Sequence, residues 1–219
     1  MISKAKHRLI LILNWLFPMW RCVKANITLN SFVESVDEDK ELLTKTTIVK
    51  DLDHVNEIKD CSKALEDSYE KKQSLEAKAK TLAIALTIAF TLMLSMSSLL
   101  DEQFNRAILN FPTAVFLLAL SIWSVLYALL AALYSIKVFT KVITVYQPEP
   151  NKAQDKEELL VCVALNRWSN LIRNNYLSTS YELLRMSLIC LFVVFVISVL
   201  TTFCGSFGSM VFLNDSASA

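Results

Sequence analysis

Three long apolar stretches, 81–100, 107–136 and 186–214, interrupt an otherwise polar chain, and none of them contains a charged residue apart from its flanks. Each matches or exceeds the roughly 20 residues that a helix needs to cross about 30 Å of hydrocarbon. The pattern therefore predicts three transmembrane helices. Pro112 trims the second to 112–136, because proline fits a first helical turn and disfavours helix in the residue before it. The connection 101–111, with Asp101, Glu102 and Arg106, is short enough to force 81–100 and 112–136 into an antiparallel hairpin over 81–136.

Between the apolar stretches the polar regions also read as helical. From 37 to 80 there is no glycine or proline, and Leu52, Val55, Ile58, Cys61, Leu65 and Tyr69 recur at steps of three and four, a helical packing face. Nothing interrupts the run into Thr81, so this stalk helix of 37–80 is expected to continue directly into the first span. The second polar segment, 137–185, predicts a helix from about Gln154 to Asn175 with Leu160, Ala164, Trp168 and Leu171 on one stripe, packed against the stalk. Thr179 followed by Glu182 matches a capping box, which predicts a fresh helix near Ser180 leading into the third span, 186–213.

Charge sets the expected topology. Of the 22 Lys and Arg residues, all but Arg106 lie in 1–80 and 137–185. Lys and Arg accumulate in cytoplasmic loops, so these segments are expected inside, with the N-terminus cytoplasmic and the C-terminus outside. Two glycines and four prolines leave few helix breaks, and lipid excludes an open sheet edge. The fold class is thus all-α, an integral membrane protein with three transmembrane helices and helical cytoplasmic regions. A net charge of +1 argues against a chain built mainly to grip nucleic acid. Five cysteines without metal-ligand spacing, three of them in segments assigned to the reducing cytoplasm, are expected as free thiols.

The first 25 residues are basic and apolar together. Lys4, Lys6 and Arg8 precede the apolar run 9–20, which Asn14 and Pro18 break, and Arg21 and Lys24 follow, with no acidic residue before Glu34. The run lacks a small-x-small cleavage site, and 12 helical residues rise only about 18 Å, too little to span. An interfacial segment on the anionic inner leaflet is the favoured reading, with Lys4, Lys6, Arg8, Arg21 and Lys24 as membrane-surface or partner-binding residues. A docking or nucleic-acid-contacting arm and a weak insertion sequence remain alternatives.

Catalytic chemistry is not evident. His7 and His54 lack partners in sequence, and Asp51, Asp53 and His54 point apart on a helix, so no catalytic, cofactor-binding or metal residue is assigned. Charge-free spans disfavour a proton-coupled transporter or voltage sensor. Hydroxyl groups are their polar content instead. Thr87, Thr91, Ser95 and Ser98 share one face of the first span, Ser121, Ser124, Ala128, Ala131 and Ser135 follow the second, and Ser198, Thr202, Gly205 and Ser209 the third. Such stripes serve helix packing. Alternatively, the first-span face lines a water-filled path once several copies assemble, since one three-span chain is too small to enclose a conventional pore.

The stretch Glu66-Asp67-Ser68-Tyr69-Glu70-Lys71-Lys72-Gln73-Ser74-Leu75-Glu76-Ala77-Lys78-Ala79-Lys80-Thr81-Leu82 runs into a hydrophobic helix and a second span ending near Tyr134. Over about 66–146 it resembles small bacterial membrane effectors of anti-phage systems, and retron-associated transmembrane effectors in particular. The resemblance rests on a charged helix entering a hairpin and does not extend to the third span or the basic arm. It implies a toxin of antiviral defence by abortive infection. A cytosolic protein or ribonucleoprotein sensor would hold it silent, in retrons a reverse transcriptase with its RNA–DNA hybrid. On release it would damage the inner membrane, with the lipid bilayer and further copies of itself as partners. The rival class is a noncatalytic accessory or structural subunit of a membrane complex.

Overall fold

The computed structural model describes residues 17–38, 58–105, 111–140, 145–148, 150–152 and 155–216, with side chains of 32–38, 58, 99, 103–105, 152 and 204–216 outside that description. Four helices carry it: α1 Pro18–Glu38, α2 Ile58–Asn105, α3 Phe111–Thr140 and α4 Lys156–Ser216, with a single 3-10 turn at Pro150–Lys152. Among the described residues there is no strand. Three of the helices, α2, α3 and α4, are long and apolar enough to cross a membrane. The chain is an all-α protein of the multi-pass membrane class, as its hydrophobic pattern predicts.

The 48 residues of α2 rise about 72 Å without a break. No glycine or proline lies within it, so the charged segment passes into the apolar one with every backbone bond retained. Its buried positions are Cys61, Leu65, Ser68, Leu75, Ala79, Leu82, Leu86, Ala89, Met93 and Met96. With half-buried Lys72 they step by four and three throughout, a seven-residue period that keeps one face turned inward along the helix. Of the expected stripe, Leu65 is buried and Tyr69 half-buried, while Leu52 and Val55 and the side chain of Ile58 lie outside the described residues. The seam passes through Ser68 rather than Tyr69, because a repeat of seven drifts away from a strict step of four.

Pro18 opens α1, which runs 21 residues across the boundary at 25. Proline is suited to that place because its missing N–H would have no intrahelical partner. One correction concerns α4: no new helix starts at Ser180, because α4 is continuous over 61 residues. The Thr179 hydroxyl donates to the Asn175 carbonyl at 2.8 Å, an interior bond of the helix rather than a cap. The cap is Asp155, whose carboxylate accepts from the Glu157 N–H at 3.0 Å, with Glu157 and Glu158 in the first turn.

The chain forms two compact units, one from 1–83 with 133–181 and the other from 84–132 with 182–219. The first contains an apolar cluster in which Cys61 and Leu65 of α2 pack with Leu159, Cys162, Val163 and Ala164 of α4. The expected contact between the stalk and the helix of 154–175 is therefore present, on a rotated face. Leu160 and Trp168 are only half-buried, and Leu171 is 48% exposed. Asn166, Ser169, Asn170 and Arg173 occupy the inward positions instead. The second unit is apolar outside as well as inside, with Ile84, Ile88, Leu94, Phe116, Leu118 and Phe192 all exposed. An apolar surface this extensive is stable only against lipid or protein.

Candidate functional site

The second unit is built on a close crossing of α3 and α4. Ser124 Oγ donates to the Ser187 carbonyl at 2.9 Å, and Ser187 Oγ donates to the Ser124 carbonyl, also at 2.9 Å. Both hydroxyl protons are committed to carbonyls, so the 3.2 Å approach of the two oxygens is a contact rather than a third bond. A hydroxyl can reach a neighbouring helix's backbone only when no larger side chain separates the two. Ala128, Ala131 and Ser135 continue the α3 stripe and are buried, as is Ser198 on α4. Ser121 is half-buried and Thr202 exposed, while the side chains of Gly205 and Ser209 lie outside the described residues.

The hydroxyl face of the first span behaves differently. Thr87, Thr91, Ser95 and Ser98 are all exposed. At 100° per residue their mean direction lies nearly opposite the buried seam of Leu86, Ala89, Met93 and Met96. The protons are satisfied locally: Thr91 donates to the Thr87 carbonyl at 3.0 Å, Ser95 to Thr91 at 3.1 Å and Ser98 to Ser95 at 2.7 Å. Their remaining lone pairs point away from the chain's own core. A cavity of about 480 Å³ in this unit is lined mostly by apolar side chains, Met93, Met96, Leu117 and Leu191 among them, with Ser97, Asp101, Ser121 and Ser124 as its polar lining.

In the first unit α4 holds its neighbours through a buried polar seam. Asn166 acts as a surrogate peptide: its amide donates to the Tyr146 carbonyl at 2.8 Å and its oxygen accepts from the Tyr146 N–H at 3.2 Å. The Tyr69 hydroxyl donates to the same carbonyl at 3.2 Å. Asn170 donates to the Ser68 carbonyl at 2.8 Å and accepts from Arg173 Nη1 at 2.9 Å. Arg173 is only 1% exposed. Burial pulls its guanidinium below its ordinary value, and the charge of Glu76 opposes that. Asn175 reaches α1, donating to Asn26 Oδ1 at 2.8 Å. None of this seam is visible in apolar periodicity, although Asn166, Asn170 and Arg173 stand at steps of four and three.

Of the basic residues assigned to the N-terminal segment, Arg21 and Lys24 are exposed on α1, and Lys4, Lys6 and Arg8 lie outside the described residues. His7, Asp51, Asp53 and His54 lie outside them too. Among the described residues no three His, Cys, Asp or Glu side chains group closely enough to hold a metal ion. Cys22, Cys61, Cys162 and Cys190 are free thiols. Burial pushes Cys22 and Cys61 above their ordinary values, against the Thr179 hydroxyl and Lys137 at Cys22 and against Lys156 at Cys61. Both should resist iodoacetamide at about pH 8 in the folded protein and react once it is denatured, which mass spectrometry of alkylated peptides would read. Because the folded values are the higher ones, the unfolded chain ionises first. Their contribution to stability is whole below about pH 8.5 and is lost as pH rises through the folded values.

No protein-family model, characterised protein or solved structure matches the chain.

Proposed function

We propose that the protein is a noncatalytic membrane-disrupting effector of a bacterial anti-phage system, kept inactive by a cytosolic sensor and permeabilising or depolarising the inner membrane once released. In this reading 1–80 and 137–185 lie in the cytoplasm. The exposed charged face of α2, including Glu66, Asp67, Glu70 and Lys71, and the start of α4 receive the inhibitory partner, a reverse transcriptase with its RNA–DNA hybrid in the retron case. Release lets stalks from several copies associate. The first spans then come together.

The observation that supports this reading is the exposure of the Thr87, Thr91, Ser95 and Ser98 face, which lies nearly opposite the buried seam of α2. Grouped around a common axis, its oxygens could solvate ions without a fixed charge. Replacing all four residues with leucine should reduce depolarisation severalfold in induced cells while leaving membrane insertion unchanged. Potential-sensitive dye uptake together with membrane fractionation reads both, and unaltered depolarisation by inserted protein would defeat the pore part. The rival reading, an accessory subunit, draws on the internal satisfaction of these hydroxyls, which lets the face rest in lipid. Harmless accumulation of the protein, with and without its genomic neighbour, would favour that rival.

A further inference from the structure

Several contacts in the first unit fall at one level. Ser135 of α3 donates to the Ala79 carbonyl of α2 at 3.4 Å. The Tyr134 ring meets the Tyr176 ring of α4 with centroids 6.0 Å apart, and Lys137 Nζ lies 4.5 Å from the Tyr134 centroid and 5.9 Å from that of Tyr176. In sequence, Lys80 is the last charge before the first apolar stretch and Lys137 the first after the second. Two independent apolar boundaries thus coincide in one layer, and aromatic rings with a lysine mark it. That is the composition of a membrane–water interface.

Helix α1 docks on the same layer. Cys22 lies within hydrogen-bonding reach of the Thr179 hydroxyl and senses the charge of Lys137, and Asn26 accepts from Asn175. Cys22 and Asn26 step four residues one way while Thr179 and Asn175 step four the other. The first turns of α1 therefore run antiparallel along α4, beside the layer of Tyr134, Lys137 and Tyr176. Roughly 110° round α1 from the docked side, at 100° per residue, Trp20, Val23 and Ile27 are 74%, 46% and 63% exposed. Their steps of three and four make one stripe, with Lys24 exposed beside it and Arg21 exposed farther round the helix.

We propose that the Trp20–Val23–Ile27 stripe of α1 is a lipid-contacting surface, set in the headgroup and upper acyl region of the leaflet on the basic side, with Arg21 and Lys24 against anionic headgroups. Tryptophan favours this zone because its ring is apolar and its N–H needs a polar neighbour. The two aliphatic side chains gain by leaving water, and the cations gain from the anionic surface potential. An aqueous helix would leave all three apolar side chains in water. The proposal holds whether or not the spans open a pore.

The test places a photoreactive benzoylphenylalanine singly at Trp20, Val23, Ile27 or Glu70 of the full chain, reconstituted in vesicles of phosphatidylcholine and phosphatidylglycerol. Glu70 is exposed and stands ten residues before Lys80, about 15 Å beyond the boundary by helical rise. Variants are compared at equal helix content by circular dichroism. Irradiation should yield phospholipid adducts at 20, 23 and 27 severalfold above Glu70, detected by mass spectrometry. Lipid yields equal to that at Glu70, or adducts to polypeptide alone, would overturn the proposal.

Discussion

Ser187→Leu should cost the α3–α4 crossing about 3 kcal/mol, whereas Ser187→Ala should cost about 1 kcal/mol. The difference follows from what the serine does. Its hydroxyl donates one of two reciprocal bonds to backbone carbonyls, and side-chain bonds within a membrane average roughly 0.6 kcal/mol, with larger values near 1.7. Alanine forfeits that bond but keeps the space. Leucine must enter a point where Ser124 and Ser187 are both fully buried and their oxygens lie 3.2 Å apart, so the helices must separate or the side chain must leave its rotamer. Thermal unfolding in a fixed detergent, read on the full chain, checks the order. Equal losses for alanine and leucine would mean that the crossing is not sterically limited.

The serine pair also shows how far the sequence can be read. Ser124 stands on a visible small-residue stripe in α3, yet Ser187, one residue inside the third apolar stretch, belongs to no stripe that the sequence makes evident. The passage of α2 into a span was legible, because the absence of glycine and proline is a local property of the chain; its end at Asn105, five residues into the expected connection 101–111, was not. The direction of a face is not. Thr87, Thr91, Ser95 and Ser98 were identifiable as neighbours, but which side of α2 meets α3 and α4 depends on Leu86, Ala89, Met93 and Met96, and both faces are compatible with a lipid-crossing helix. Thr179 and Glu182 match a cap by spacing, while the Thr179 hydroxyl has a carbonyl within its own helix to bond. Pro18 carries two opposite meanings, stop and start, that only the following residues distinguish. On α4 the apolar stripe misleads because the inward positions are held by amides and an arginine whose partners, Tyr146 and Ser68, are distant in sequence.

That buried seam yields the second large effect. Asn170→Leu should destabilise the first unit by about 3 kcal/mol, since it removes the side-chain donor that adds to the helical bond at the Ser68 carbonyl and takes from Arg173 the carbonyl oxygen that faces Nη1. A guanidinium keeps its charge under these conditions, so the loss of a compensating dipole at a site only 1% exposed cannot be relieved by deprotonation. Arg173→Met removes the charge while keeping much of the volume, and a buried ionic group exchanged for a well-packed apolar one is often neutral. The double variant Asn170→Leu/Arg173→Met should therefore be more stable than Asn170→Leu alone, a coupling of about 1–2 kcal/mol in a double-mutant cycle. Denaturation of the four proteins in one detergent measures it. Strictly additive losses would show that Asn170 acts on Ser68 alone, and that Arg173 draws its compensation from elsewhere, with Glu76 the charged group already acting on it.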